Sequence, residues 1–168
     1  MKTGFLVFAA ALFFAVSLPL SAKENLLQAK MSEADAAETH ARSTCASLVN
    51  RIDAVGKGIS QIPHLDKNSI MLIADEIGEY ESASLDHAKA MIDWKDKVED
   101  AASLGFSLSR EHRLSKQEKA AFLYWLGQKR KTKNDIDKPY VPPDVQKAEK
   151  ILSMKNAREE AARHISLA

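Results

Sequence analysis

Two apolar ladders of coiled-coil spacing dominate the sequence. The first steps by four and three through Leu27, Met31, Ala34, Glu38, Ala41, Cys45, Leu48, Ile52, Val55, Ile59 and Ile62. The second runs through Ile70, Ile73, Ile77, Tyr80, Ser84, His87, Met91, Trp94, Val98, Ala101 and Gly105. A mean spacing of about 3.5 residues puts one narrow apolar seam on each of two long helices. Pro63, Asp66 and Asn68 lie between them and read as a turn. The pattern predicts an all-α chain whose residues 24–105 form a long antiparallel hairpin. Ile59 opposite Ile70 sets partners whose numbers add to about 129 in antiparallel geometry. Ala34 then meets Trp94, and the polar members of both ladders fall together.

Around that hairpin, Gly56 and Gly58 fray the first helix near Val55. Leu104 and Gly105 suit a glycine cap after about Ala102. Residues 106–133 form a joint and a third helix, started by the capping-box spacing of Ser115 and Glu118. Lys129, Arg130 and Lys131 suit its C-terminal end. Residues 134–143, rich in Asp and Pro, read as a loop. Asp144 caps a last helix within residues 144–168. One or two helices therefore join the hairpin in a single bundle-like domain over residues 23–168.

Residues 1–22 have the make-up of a secretory signal. Lys2 precedes the apolar run Phe5–Val16, and Pro19-Leu20-Ser21-Ala22 ends in a small residue. The expectation is an exported protein, periplasmic or secreted after cleavage near Ala22, with retention as an anchor the alternative. The single Cys45 cannot form an internal disulfide. Charge is uneven. Residues 23–106 hold nine Lys/Arg against fifteen Asp/Glu, a net of −6, whereas residues 107–133 hold eight against two, a net of +6. An acidic hairpin thus precedes a basic segment, which suits docking of one on the other, an acidic partner or an anionic membrane surface.

Glu38, Cys45, His87 and Met91 are the candidate metal ligands. Carboxylate, thiolate, imidazole and thioether all bind metals, and this soft set suits copper(I) or zinc. The competing reading is a polar layer that sets hairpin register. Met31 in the first helix and His164 in the last are similar to the haem ligands of periplasmic four-helix cytochromes of the b type. That resemblance covers two residues and implies a haem-carrying bundle. The greater length and the third helix depart from it.

The run Ala120–Leu126 contains Phe122, Tyr124 and Trp125 beside Lys129, Arg130 and Lys131, a candidate partner-binding surface. No nucleophile and base stand in an activating context, so no enzyme, cofactor or nucleic-acid partner is expected. The expected function is binding, through helix faces, to another protein or an envelope component. Peripheral contact with an anionic membrane and a homodimer stay open. A bundle carrying haem or a soft metal is the alternative.

Overall fold

The computed structural model describes the backbone of residues 20–166 except 138; described side chains begin at Asn25 and exclude 138, 161 and 164–168. Of the signal-like segment, residues 1–19 lie outside the described residues, and the cleavage site expected near Ala22 falls in the first turn of α1.

The protein is all-α, with four helices and no strand among the described residues. Helix α1 is Leu20–Ser60, α2 is Ala74–Arg110, α3 is Lys116–Ile136 and α4 is Pro143–Ser166. A 3₁₀ turn, Ser69–Ile73, leads into α2. Among the described residues no helix is long and apolar enough to cross a membrane.

Two compact units make up the chain. The first combines residues up to Ala37 with Trp94–Lys131; the second combines Glu38–Asp93 with Thr132–Ala168. In the first unit Leu27, Ala34, Ala101, Leu108, Phe122, Trp125 and Leu126 form the core. In the second, Leu48, Ile52 and Val55 of α1 meet Ile70, Ile73, Ile77 and Tyr80, and Val145, Ala148 and Leu152 of α4 close over them. In both units α1 and α2 run antiparallel. Lys30 Nζ lies 3.8 Å from Asp100 Oδ2, Arg51 pairs with Glu79, and Thr44 Oγ1 is 3.1 Å from His87 Nδ1. These partners add to 130, 130 and 131, close to the expected register. Ala34 and Trp94 are both buried, at 0% and 2% exposure.

Both glycine-based boundaries shift. Helix α1 runs on through Gly56 and Gly58 to Ser60, because Ile73 packs on Gly58: a Cβ there would lie 2.7 Å from Ile73 Cγ2. Gly105 does not cap α2. It lies inside the helix, where the ring of Phe122 rests on its backbone; a Cβ would lie 2.8 Å from Phe122 Cδ2 and nearer still to Cε2 and Cζ. A side chain at 105 would displace the ring, so the residue is there for packing rather than termination.

Helix α2 instead ends at a Schellman-type turn. Arg113 N–H donates to Leu108 O at 2.9 Å, and His112 N–H donates to Ser109 O at 3.3 Å. His112 holds the left-handed position, with φ of 55°. That conformation is costly for a residue with a Cβ, by about 1–2 kcal/mol. His112→Gly removes the strain but loosens the unfolded chain. The expected result is a stabilisation of about 0.5–1 kcal/mol, read as a raised urea midpoint at unchanged slope. A lowered midpoint would show that the His112 side chain contributes more than the turn.

The α1–α2 connection is held by Asp66. Its Oδ1 accepts from Asn68 N–H and Ser69 N–H, each at 2.9 Å, and Ser69 Oγ accepts from Asp66 N–H at 3.0 Å. The backbone donor of Ser69, then that of Asn68, holds the Asp66 carboxyl below the usual carboxylate range. A lowered folded-state value gives stability that is present above the unfolded value and lost as pH falls through the folded one. Asp66→Ala is therefore expected to flatten part of the acid decline of Tm below the ordinary carboxylate range. Parallel acid limbs in parent and variant would show that the charge on Asp66 does not matter.

Helices α3 and α4 also differ from the sequence reading at one end each. The Ser115–Glu118 box forms as expected: Ser115 N–H donates to Glu118 Oε2 at 2.8 Å, and Glu118 N–H to Ser115 Oγ at 3.2 Å. But α3 passes Gly127 and the basic cluster and reaches Ile136, because Thr132 and Ile136 are buried and extend its inner face. At α4 the helix starts at Pro143, which suits a first position with no N–H to satisfy. Asp144 thus lies inside the first turn.

Candidate functional site

Helix α3 divides its apolar run by helical phase. Phe122, Trp125, Leu126, Lys129, Thr132 and Ile136 recur at three- and four-residue steps and are buried. Phe122 meets Phe106 edge-on, with ring centroids 5.4 Å apart, and stacks on Trp125 at 6.4 Å. Trp125 Nε1 donates to Asp35 Oδ1 at 2.8 Å. Lys129 pairs with the same oxygen, and its ammonium lies 5.4 Å from the Trp125 ring centroid. An apolar face can bury a lysine here because carboxylate and ring both face its charge.

Three of the six expected partner-binding residues are therefore internal. Phe122 is 1% exposed, and Trp125 and Lys129 are each 9% exposed, so none of them presents a surface. Tyr124, Arg130 and Lys131 stay outside. Tyr124 is 70% exposed and Leu123 47%. Ala120 and Gly127, both exposed, are its neighbours one turn either way. The outward face of α3 is thus an aromatic ring among small residues with cations on its flank. The sequence reading did not single out Leu123 as part of this face, although phase from the buried Phe122 places it there.

Of the four candidate metal ligands, His87 and Glu38 are held by other partners. His87 is 4% exposed, with Nε2 2.8 Å from the carbonyl of Ile136 and Nδ1 3.1 Å from Thr44 Oγ1. A carbonyl only accepts, so Nε2 carries a proton and donates. Thr44 Oγ1 is also 3.0 Å from Ala41 O, to which it donates as an alternative to Nδ1. Glu38 Oε1 accepts from Arg42 Nε at 2.9 Å and from Thr132 Oγ1 at 3.3 Å; Arg42 Nη2 donates to Thr132 Oγ1 at 3.0 Å. Cys45 is half-buried, and burial pushes its thiol up, with Arg42 acting the other way. Met91 is buried. Among the described residues no group of three or more His, Cys, Asp or Glu is gathered as a metal site. The polar members of the seam link α1 and α2 to the end of α3 within the second unit. Thr44, Thr132 and Ile136, which complete that network, carried no signal beyond helical phase.

Met31 lines a cavity of about 100 Å³ with Leu27, Gln28, Leu114, Glu118, Ala121 and Phe122. Ligand pockets are typically about 300–1,000 Å³, so a porphyrin would need this packing to open. The side chain of His164, its expected counterpart, lies outside the described residues.

Compared with known proteins, the chain matches no protein family, no curated protein and no solved structure.

Proposed function

We propose that this is a small exported helical interaction protein, periplasmic or secreted, which binds another protein or an envelope component through helix faces. The signal-like make-up of residues 1–22 supports export. The observation that carries the interaction reading is Tyr124, 70% exposed beside Leu123 at 47%, on a helix whose other large apolar residues are inside. Tyr is among the side chains that most often anchor interfaces, and Arg130 and Lys131 supply charge at its edge.

The test is affinity capture from a native envelope extract, with the parent chain and Tyr124→Ser as paired baits. A partner held by the parent should be lost or at least tenfold weaker with the variant, about 1.4 kcal/mol or more. Stability should change by no more than about 0.5 kcal/mol, since an exposed side chain is removed. Equal capture by both baits removes Tyr124 from the interface. A Soret band or bound copper in the purified protein would favour a ligand-carrying bundle instead.

A further inference from the structure

We propose that the end of the first unit where α1 begins docks on an anionic phospholipid bilayer. The proposal rests on export, in the reading above, which brings the chain to a membrane at least in transit, and this second surface is separate from the Tyr124 face.

Three elements meet at that end. The Lys30–Asp100 contact sets a register in which Phe106 lies level with residue 24 of α1 and Arg110 level with Leu20. Helix α3 starts there too, because Leu114, Glu118 and Phe122 line one cavity with Leu27, Gln28 and Met31. The α2–α3 corner and the first turn of α3 therefore lie beside the first turns of α1. Arg110, Lys116 and Lys119 are exposed on them. The corner's own carboxylates have local partners: Glu111 pairs with Arg113 at 3.0 Å and accepts from Ser107 Oγ at 3.1 Å, and Glu118 closes on Ser115. Among these cations two apolar side chains stay open, Leu26 at 37% and Phe106 at 44% exposure. Cations around exposed apolar side chains suit a headgroup layer, where both kinds of group are satisfied at once.

The sequence just before α1 favours lipid over an acidic protein. The apolar run Phe5–Val16 ends four residues before Leu20, where the described helix starts. Four residues reach at most about 14 Å. The headgroup region adds about 5–8 Å on each side of the hydrocarbon. A chain whose apolar run is in the bilayer thus keeps the start of α1, and with it Arg110, Lys116 and Lys119, in the headgroup layer or within one Debye length, ~8 Å, of it. Once that run is removed, the same corner remains as a peripheral contact surface.

The experiment compares partition of the full chain onto vesicles of phosphatidylcholine alone and of equal parts phosphatidylcholine and phosphatidylglycerol. Anionic vesicles should bind it more tightly, with the advantage falling as salt rises. The triple variant Arg110→Gln, Lys116→Gln, Lys119→Gln should lose about fivefold per charge, about a hundredfold in all. Arg110→Lys with Lys116→Arg and Lys119→Arg should bind like the parent. Helicity by circular dichroism should be the same in all, because the sites are exposed. Phe106→Trp locates the contact: its emission should move to the blue on anionic vesicles, against the constant background of buried Trp94 and Trp125. Equal partition onto both vesicles, parent-like binding by the triple variant, or an unmoved emission in the Phe106→Trp protein would each overturn the proposal. If the triple variant loses an acidic protein partner while its lipid partition is unchanged, the surface is a protein interface and the lipid proposal falls. Tyr124→Ser should leave lipid partition intact, so failure of the partner reading is seen separately.

Discussion

Gly105→Ala is expected to destabilise the parent chain by about 1–2 kcal/mol and to stabilise a Phe122→Ala background by about 1 kcal/mol. The sign depends on one ring. In the parent, a methyl group at 105 would enter the space of Phe122 Cε2, Cζ and Cδ2. Phe122 is 1% exposed and held between Phe106 and Trp125, so it cannot swing away cheaply. Overpacking of this kind costs about 1–3 kcal/mol. Against it stands the helix propensity of alanine over glycine, worth about 1 kcal/mol. Removing the ring removes the clash and leaves the propensity. Phe122→Ala should itself cost about 3–5 kcal/mol, since the site lies in the first unit's core. Urea titrations of the four proteins, in sulfate buffer to keep the weakest folded, measure the cycle. A stabilising Gly105→Ala in the parent would show that the ring does not rest on that backbone.

His87→Leu is expected to cost about 2–4 kcal/mol and to fray the last turn of α3. Leucine is close to histidine in size, so the loss is mainly polar. The carbonyl of Ile136 would lose its 2.8 Å donor where the side chain bonding it is 4% exposed. An unsatisfied buried acceptor costs about 1–3 kcal/mol, and the Thr44 contact is lost as well. His87→Gln should cost less, because its amide nitrogen occupies nearly the position of Nε2 and can donate to the same carbonyl. Hydrogen exchange provides the local readout: amides of Thr132 to Asp137 should lose protection in the leucine variant and keep most of it in the glutamine variant. Equal protection in all three proteins would mean that α3 ends where it does without His87.

Both expectations come from contacts between residues far apart in sequence, and this decides what could be read beforehand. The ladders needed no structure. Apolar residues at 3.5-residue spacing force two amphipathic helices, and an antiparallel pair follows from the turn between them. Ala34 and Trp94 are buried as that register requires. The capping box at Ser115 and Glu118 was equally plain, because both partners lie within one turn. Local signals failed where a distant side chain took over. Glycine at 58 and 105 reads as a helix terminus, yet Ile73 and Phe122 turn each into a packing seat. Helix α2 ends instead at Arg110, with His112 in the left-handed position, a residue type that signals such a turn far more weakly than glycine.

The same division runs through the candidate surface. The sequence by itself determined that Phe122, Trp125 and Leu126 share a face and that Tyr124 does not, since helical phase is a property of the backbone. Only the tertiary structure decided which face is inside. Asp35 settles it for Trp125 and Lys129, from ninety and ninety-four positions away, by accepting the indole N–H and pairing with the ammonium. A carboxylate that far off in sequence carries no mark of its partner. Burial of charge and hydrogen bonding across the chain depend on three-dimensional neighbours, and periodicity alone does not contain them.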